Sequence, residues 1–574
     1  MRFPAGRGFG RVGGSSATPR WPFPVGVAAA LWTTSVALSS CEPYDFEAEP
    51  RVPIVPHPRA QAPLRSSIVV AGQAPTYLPA TYRAALECPL PKRVGAASPV
   101  ARVLPGFEEN TDPEGRLATY QPSGPTNVAA SAFFQPLGTN GRACVTCHVP
   151  ADAMSVRVDD IRRRFARTAG ADPIFAPVDG ANCPDAVGPE RTAQALVGGR
   201  IGRGESDDES AHSLLLTRGL FRIFLPVPAD AQYTIRIVHD PNGCNTNPEY
   251  AEKRDPRTGK LTRVVSVYRR PRPTANLKFV TALRVRADVP ESRDPESSPG
   301  ESNLMWDGRE PDLRSQAIDA TLTHAQAVSS PTDAQLADIV AFSRGIYSAQ
   351  IFSTHAHSLT DLGALGGPDF LATVPPPSKL GEPTFSLFDA WEHLAPEADR
   401  RSERESVFRG QRIFDSRQFA ISSVAGLNDA SGGKATLANG TCSTCHNQGA
   451  AGTDAFPGAQ LDVGVGGDSP DFGGPPPSRE LPIFRVVCKR SNDFGFHGAS
   501  VDTNDPGKAL VTGKCADVGR FTVAPLRGLA GRAPYFSDGS AATLADVVDF
   551  YDRRFSIGLS SEDKKDLVRF LGSL

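Results

Sequence analysis

Two pentapeptides share one pattern, Cys144-Val145-Thr146-Cys147-His148 and Cys442-Ser443-Thr444-Cys445-His446. Two thiols one turn apart, followed at once by an imidazole, meet the needs of covalent haem attachment. The thiols reach the two vinyl groups of a porphyrin and the histidine sits beneath its iron. The chain is therefore read as carrying two covalently bound c-type haems, attached through Cys144, Cys147, Cys442 and Cys445 and ligated by His148 and His446. A zinc site on the same cysteines would need a second Cys/His pair at short spacing, and none follows either motif. What each haem does then depends on its sixth position and distal pocket. The methionines are Met1, Met154 and Met305, none of them after His446. The second haem is thus not expected to be a His/Met centre, and its sixth position falls to another His, a Tyr, water or nothing.

Elements must hold these groups, and 574 residues with 40% hydrophobic content suffice for about two to four domains with sizeable cores. The 53 glycines and 52 prolines imply many turns between short elements. With 61 basic against 63 acidic residues and no long run of either sign, nothing points to nucleic acid or to an anionic membrane surface. Arg2, Arg7, Arg11 and Arg20 precede an apolar run over residues 22–38, and Leu38-Ser39-Ser40-Cys41 follows. This reads as a lipoprotein-type signal peptide over residues 1–40 with Cys41 lipidated, an ordinary signal peptide or a single anchor being the alternatives. The run is too short and too interrupted by Pro22, Pro24, Thr33 and Thr34 for a transmembrane helix. The expected location is the periplasm or cell envelope, with membrane contact only through the lipid anchor. Disulfides persist there. Of the ten cysteines, Cys88, Cys183, Cys244, Cys488 and Cys515 remain. Cys183 with Cys244 and Cys488 with Cys515 each bracket a loop-rich excursion, leaving Cys88, although spacing alone does not determine the pairing.

Residues 41–100 read as a Pro-rich tether. An N-terminal cytochrome c-like haem domain is expected over 101–362, with an apolar stretch at 127–137, a helix at 158–165 and another at 333–347 marked by Leu336, Ile339, Val340 and Ile346. Residues 233–238 and 263–268 are strand-like, so a β-containing insertion is placed at about 180–270. A Gly/Pro-rich linker at 363–385 leads to a C-terminal cytochrome c domain over 386–574, with helices at 404–414, 543–555 and 561–574. The fold class this implies is mainly α: two cytochrome c-type helical haem domains, the first with the β-containing insertion.

Two further segments carry a family resemblance. Leu304-Met305-Trp306-Asp307-Gly308-Arg309, with Leu313, Gln316 and Ala317, resembles the W-D-G-R segment of bacterial dihaem cytochrome c peroxidases. Pro525-Leu526-Arg527, then Ala533-Pro534-Tyr535-Phe536-Ser537-Asp538-Gly539-Ser540, Thr543-Leu544 and Val547-Val548, resembles the P-Y-x-H-D-G segment near that family's C-terminal haem. With the order of the haem sites, the resemblance spans roughly residues 125–148 and 270–574. The family includes MauG-like enzymes, which oxidise a protein partner, and rubber oxygenases are more distant dihaem relatives.

The resemblance implies that Trp306 lies between the haems as an electron relay, a buried core Trp being the alternative. It puts Gln326 where the family has its catalytic Glu. Glutamine does not shuttle protons, so the base would be His324, or a water held by Gln316 and Gln326. The position of the second haem's axial residue falls on Tyr551, and the position of the motif histidine on Ser537. Leu544, Val547, Val548, Tyr551 and Phe555 share one helical face, which would equally hold a core tyrosine, and His497 competes as ligand. Arg142, Arg309, Arg527 and Arg532 are candidates to pair with haem propionates.

The function implied is a dihaem c-type oxidoreductase that reduces hydrogen peroxide at the His148 haem. Its electrons would come from a small redox protein and be relayed through the His446 haem. Dioxygen-dependent oxidation of an organic substrate, as in rubber oxygenases, and a non-catalytic electron-transfer lipoprotein are the alternatives. A calcium ion between the lobes is left open.

Overall fold

A computed structural model of the chain describes residues 103–186, 209–254, 259–282, 304–376, 383–429, 435–454, 460–467 and 474–574. The expected signal peptide, Cys41, Cys88 and the tether lie outside the described residues.

The mainly α expectation is corrected: ten α-helices and sixteen β-strands, the strands spread over several sheets, make a mixed α/β protein among the described residues. One antiparallel sheet runs in the order His357–Ser358, Tyr347–Ser353, Gly115–Tyr120, Phe107–Asp112. Tyr347–Ser353 is buried along nearly its whole length, so it lacks the polar alternation that marks a half-exposed strand. Its partner Gly115–Tyr120 lies far upstream.

Tyr233–His239 does alternate, burying Tyr233 and Ile235 between the exposed Thr234 and Arg236. It pairs antiparallel with Ile483–Cys488, which in turn pairs with Ser500–Thr503. The expected insertion thus shares a sheet with a segment from near the C-terminus. A second three-stranded sheet, Phe221–Pro226, Leu261–Arg269 and Glu252–Arg254, packs on it through Leu225, Val267, Phe484 and Val486. Disulfides join Cys183 to Cys244 and Cys488 to Cys515.

The helices flank the two pentapeptides. Val158–Thr168 buries Ile161 and Phe165 against Leu215 and Phe221. Arg401–Ser416 packs on Ser561–Gly572 so closely that a Cβ on Gly410 would lie 2.1 Å from the Asp566 carbonyl oxygen. Only glycine permits that approach. Thr543 and Ser560 cap the last two helices, their hydroxyls accepting from the N–H groups of Asp546 and Asp563. Each such cap stabilises by about 1 kcal/mol. An aromatic core of Phe385, Phe388, Trp391, Phe414 and Phe570 underlies the second pentapeptide, and one of Phe133, Phe134 and Phe342 underlies the first. Among the described residues no helix is long and apolar enough to cross a membrane.

Candidate functional site

Both pentapeptides fold as a short 3-10 turn, Cys144–Thr146 and Cys442–Thr444. The threonine common to both closes the turn, Thr146 Oγ1 accepting from Ala143 N at 3.0 Å and Thr444 Oγ1 from Thr441 N at 2.9 Å. His148 Nδ1 lies 3.2 Å from the Met154 carbonyl, and His446 Nδ1 lies 2.6 Å from that of Gly452. A carbonyl only accepts, so Nδ1 carries the proton and Nε2 keeps its lone pair for a metal. Desolvation lowers the pKa of His148 to about 4 and lowers that of His446 as well, which holds both rings neutral.

Each pentapeptide opens on a cavity. The space beside Cys144, Cys147 and His148 is about 1430 Å³ and that beside Cys442, Cys445 and His446 about 1780 Å³. The structure brings Trp306, Arg309, Gln316 and His324 into the first cavity's wall. Gln326 is not in it. The chain turns there with φ 55°, and Gln326 Oε1 accepts from Asn140 Nδ2 at 3.4 Å. His324, at the end of helix Leu313–Thr323, places Nδ1 2.6 Å from Asp179 Oδ2, while Arg142 pairs with the other oxygen of the same carboxylate. Burial alone would raise the Asp179 pKa, but Arg142 and then His324 bring it below the usual carboxylate range.

The W-D-G-R segment owes its shape to Asp307, which is fully buried and receives Arg269 at 2.6 Å and Arg309 at 3.0 Å. Arg309 also lies 3.6 Å from Asp319, so its charge is already matched. Arg142 is likewise matched by Asp179. Arg527 lies in neither cavity wall and donates to the carbonyls of Gly367 at 3.1 Å and Ala450 at 3.4 Å.

Tyr551 lines the second cavity on helix Leu544–Phe555, stacked on Phe555 at 6.3 Å with planes 11° apart. Desolvation raises its phenol pKa, and Cys445 and Cys442 are near enough to add to the shift. Ser537 also lines this cavity. His497 does not, its Nε2 being 2.8 Å from Asp462 Oδ2. Arg270, Pro271, Pro273, Trp306 and Pro525 line both cavities and form their common wall.

Arg270 and Arg532 test whether haem fits. Both are buried and donate to backbone carbonyls, and Arg532 Nε has no partner. Burial lowers their pKa values to about 9 and about 10, with Arg532 also acting on Arg270. Buried cations without carboxylates are costly. Two haem propionates are anions suited to this wall, so the residues present fit the group. Sequence reasoning named Arg532 but missed Arg270, for which the run Arg269-Arg270-Pro271-Arg272-Pro273 was a signal, and Asp179, for which there was none. Among the described residues no group of three or more His, Cys, Asp or Glu side chains is placed to hold a separate metal ion.

No family model matches the chain. Cytochrome-c peroxidase IdrP1 of Pseudomonas sp. (strain SCT) is 29% identical over 150 residues, covering 23% of this chain and 36% of that protein. Cytochrome-c peroxidase IdrP2 of Denitromonas iodatirespirans is 38% identical over 77 residues, covering 12% of this chain and 21% of that protein. The chain thus spans between about a fifth and little more than a third of the length of these relatives. A crystal structure of a MauG-like protein associated with microbial copper homeostasis aligns with a TM-score of 0.28 and 16% identity, over 54% of this chain and 74% of that one. Over these stretches the chain is similar, at low identity, to cytochrome-c peroxidases, in keeping with its two Cys-x-x-Cys-His pentapeptides.

Proposed function

We propose that the chain is a two-haem oxidoreductase of the cell envelope that reduces hydrogen peroxide in the His148 cavity, using electrons passed from the His446 haem. Trp306, in the wall common to both cavities, is the observation that carries this reading. When bound, the haems supply electron storage and cleavage of the O–O bond. Cys144, Cys147 and His148 would hold one of them and Cys442, Cys445 and His446 the other, with Tyr551 a candidate sixth ligand for the second. Arg270 and Arg532 would neutralise propionates. Gln316 offers hydrogen bonds to a peroxide in the first cavity, and His324 offers a proton acceptor.

A small redox protein is the proposed electron donor. Residues 1–40 and Cys41 would deliver the chain to the envelope and tether it there by a lipid. The first cavity adjoins a chamber lined by Arg222, Lys253, Asp319 and other charged groups.

The test uses haem-loaded protein, a reduced small c-type cytochrome as donor, and stoichiometric hydrogen peroxide. Oxidation of two donor equivalents per peroxide, with a change in the haem absorption spectrum, is the expected result. An unaltered spectrum with no peroxide consumed, in both the oxidised and the half-reduced protein, would overturn the proposal.

A further inference from the structure

His324 stands in a wall with a cavity on either side. One is the His148 cavity, and the other is the charged chamber, about 1400 Å³, between strand Phe221–Pro226 and helix Leu313–Thr323. Asp179, Ile223 and Arg309 line both spaces together with His324.

Asp179 is unusually constrained for a residue in a turn. Its side chain is 3% exposed, and one oxygen is taken by Arg142. Arg142 is pinned by the carbonyls of Pro173 at 2.7 Å and Ile174 at 2.8 Å. The Asp179 carbonyl accepts from Arg222 N at 2.9 Å. The next residue, Gly180, has no room for a side chain, since a Cβ there would lie 2.3 Å from the Ile174 carbonyl oxygen. The carboxylate is therefore held in place from three sides, and its free oxygen meets His324 Nδ1 at 2.6 Å.

An ionised carboxylate only accepts hydrogen bonds. Arg142 and His324 keep Asp179 ionised against its burial. In the neutral ring of His324, Nδ1 then bears the proton and the lone pair is left on Nε2. Among the described residues Nε2 meets no protein partner.

We propose that Asp179 is a positioning residue that fixes His324 in the tautomer with a proton-accepting Nε2, making His324 the proton acceptor of the His148 cavity and the charged chamber its proton supply. The inference rests on the peroxide-reducing reading. Nε2 takes the proton from one oxygen of hydrogen peroxide and returns it to the other, which departs as water when the O–O bond breaks. Two electrons from the redox-protein donor and two protons through the chamber complete the conversion of H2O2 to two waters. No carboxylate beyond Asp179 is needed, and Gln326, turned away from the cavity, has no part in it.

The test uses the haem-loaded full chain, wild type and with Asp179→Asn or Asp179→Glu, and follows ligand binding by stopped-flow absorption. Hydrogen cyanide must lose a proton to bind oxidised haem as cyanide, whereas carbon monoxide binds reduced haem with no proton to lose. An Asn amide can donate to Nδ1 and hold the ring in the opposite tautomer. Cyanide association in Asp179→Asn is therefore expected to fall about 10²-fold, with Asp179→Glu recovering most of it and carbon monoxide association unchanged. Unchanged cyanide association in Asp179→Asn overturns the inference and leaves the peroxide reading standing. Equal slowing of both ligands overturns it too, because it marks a merely structural role. Failure of the wild type to bind either ligand overturns the peroxide reading itself, and the inference with it.

Discussion

The indole Nε1 of Trp306 donates to the backbone carbonyl of Arg270 at 2.7 Å. That bond orients the ring in the common wall of the cavities, and the Trp306 carbonyl accepts from Thr522 N at 2.8 Å on the C-terminal side. The Arg272 guanidinium lies 5.3 Å from the ring centroid, within the range of a cation–π contact. Trp306→Phe keeps an aromatic ring but removes the indole nitrogen and its larger π system. Haem content is expected to be unchanged. Oxidation of the His446 haem after mixing reduced protein with peroxide should slow by about tenfold or more, equivalent to a barrier increase of about 1.4 kcal/mol. Rapid-mixing absorption measures this directly, and an unchanged rate would remove Trp306 from the electron path.

The pentapeptides were legible because each is local: two turns, a threonine that closes them and a carbonyl six residues on that sets the tautomer. Helices with apolar faces, such as Val158–Thr168 with Ile161 and Phe165, were legible for the same reason. The sheets were not. Tyr347–Ser353 is buried on both faces and pairs with a strand far upstream, so neither its period nor its partner shows in a short window. Asp179 was invisible because its partner His324 is 145 residues away. Gln326 is placed by a local turn that the chain count did not foresee. Counting along the chain assumes a path of constant shape, and the left-handed turn at Gln326 directs it toward Asn140.

Tyr551 and Phe555 stack one helical turn apart, with the phenol ring in the cavity wall near Cys442 and Cys445. Tyr551→Phe preserves that packing and removes only the oxygen. The stability loss should stay below ~1 kcal/mol. If Tyr551 ligates the second haem, absorption and EPR features of that haem should change while those of the His148 haem do not. Two unaltered haem spectra would make Tyr551 a core residue.

Arg532 places an unmatched guanidinium in the wall of the second cavity. A buried positive charge favours the more reduced, less positive state of a nearby haem. Arg532→Met removes the charge at similar length, and the potential of the His446 haem should fall by about 60 mV, or about 1.4 kcal/mol for one electron. Spectroelectrochemical titration of both haems measures this. A rise, or an equal fall at both haems, would contradict the pairing with a propionate of the second haem.

Asp307 holds Arg269 and Arg309 together behind Trp306. Asp307→Asn keeps the shape but leaves two buried guanidinium groups short of an anion, although Asp505 still receives Arg269 at 2.6 Å. Breaking a buried pair in this way should cost about 3 kcal/mol. The denaturant midpoint reports it, and a loss within experimental error would mean that Asp505 and Asp319 suffice.

Asp152, in the turn after the first pentapeptide, is expected to make stability fall as pH rises toward neutrality. Its Oδ1 is buried without a hydrogen bond, and burial pushes its pKa up to about 7 against the pull of Arg157. Glu108 is raised to about 7 by the same cause. In the unfolded chain both ionise near the usual ~4. The folded form therefore holds protons that the unfolded form has lost, so this contribution is full below about pH 4 and is lost as pH rises through about 7. Asp307, held at about 2 by Arg309 and Arg269 against its burial, has the opposite sign: its contribution is present above about pH 4 and lost as pH falls toward 2. Thermal stability should thus decline from pH 6 to pH 8. Asp152→Asn, neutral at every pH, should remove on the order of 1–2 kcal/mol of that decline. Melting temperatures of wild type and variant at pH 6, 7 and 8 decide it, since parallel curves would place the alkaline loss in some other group.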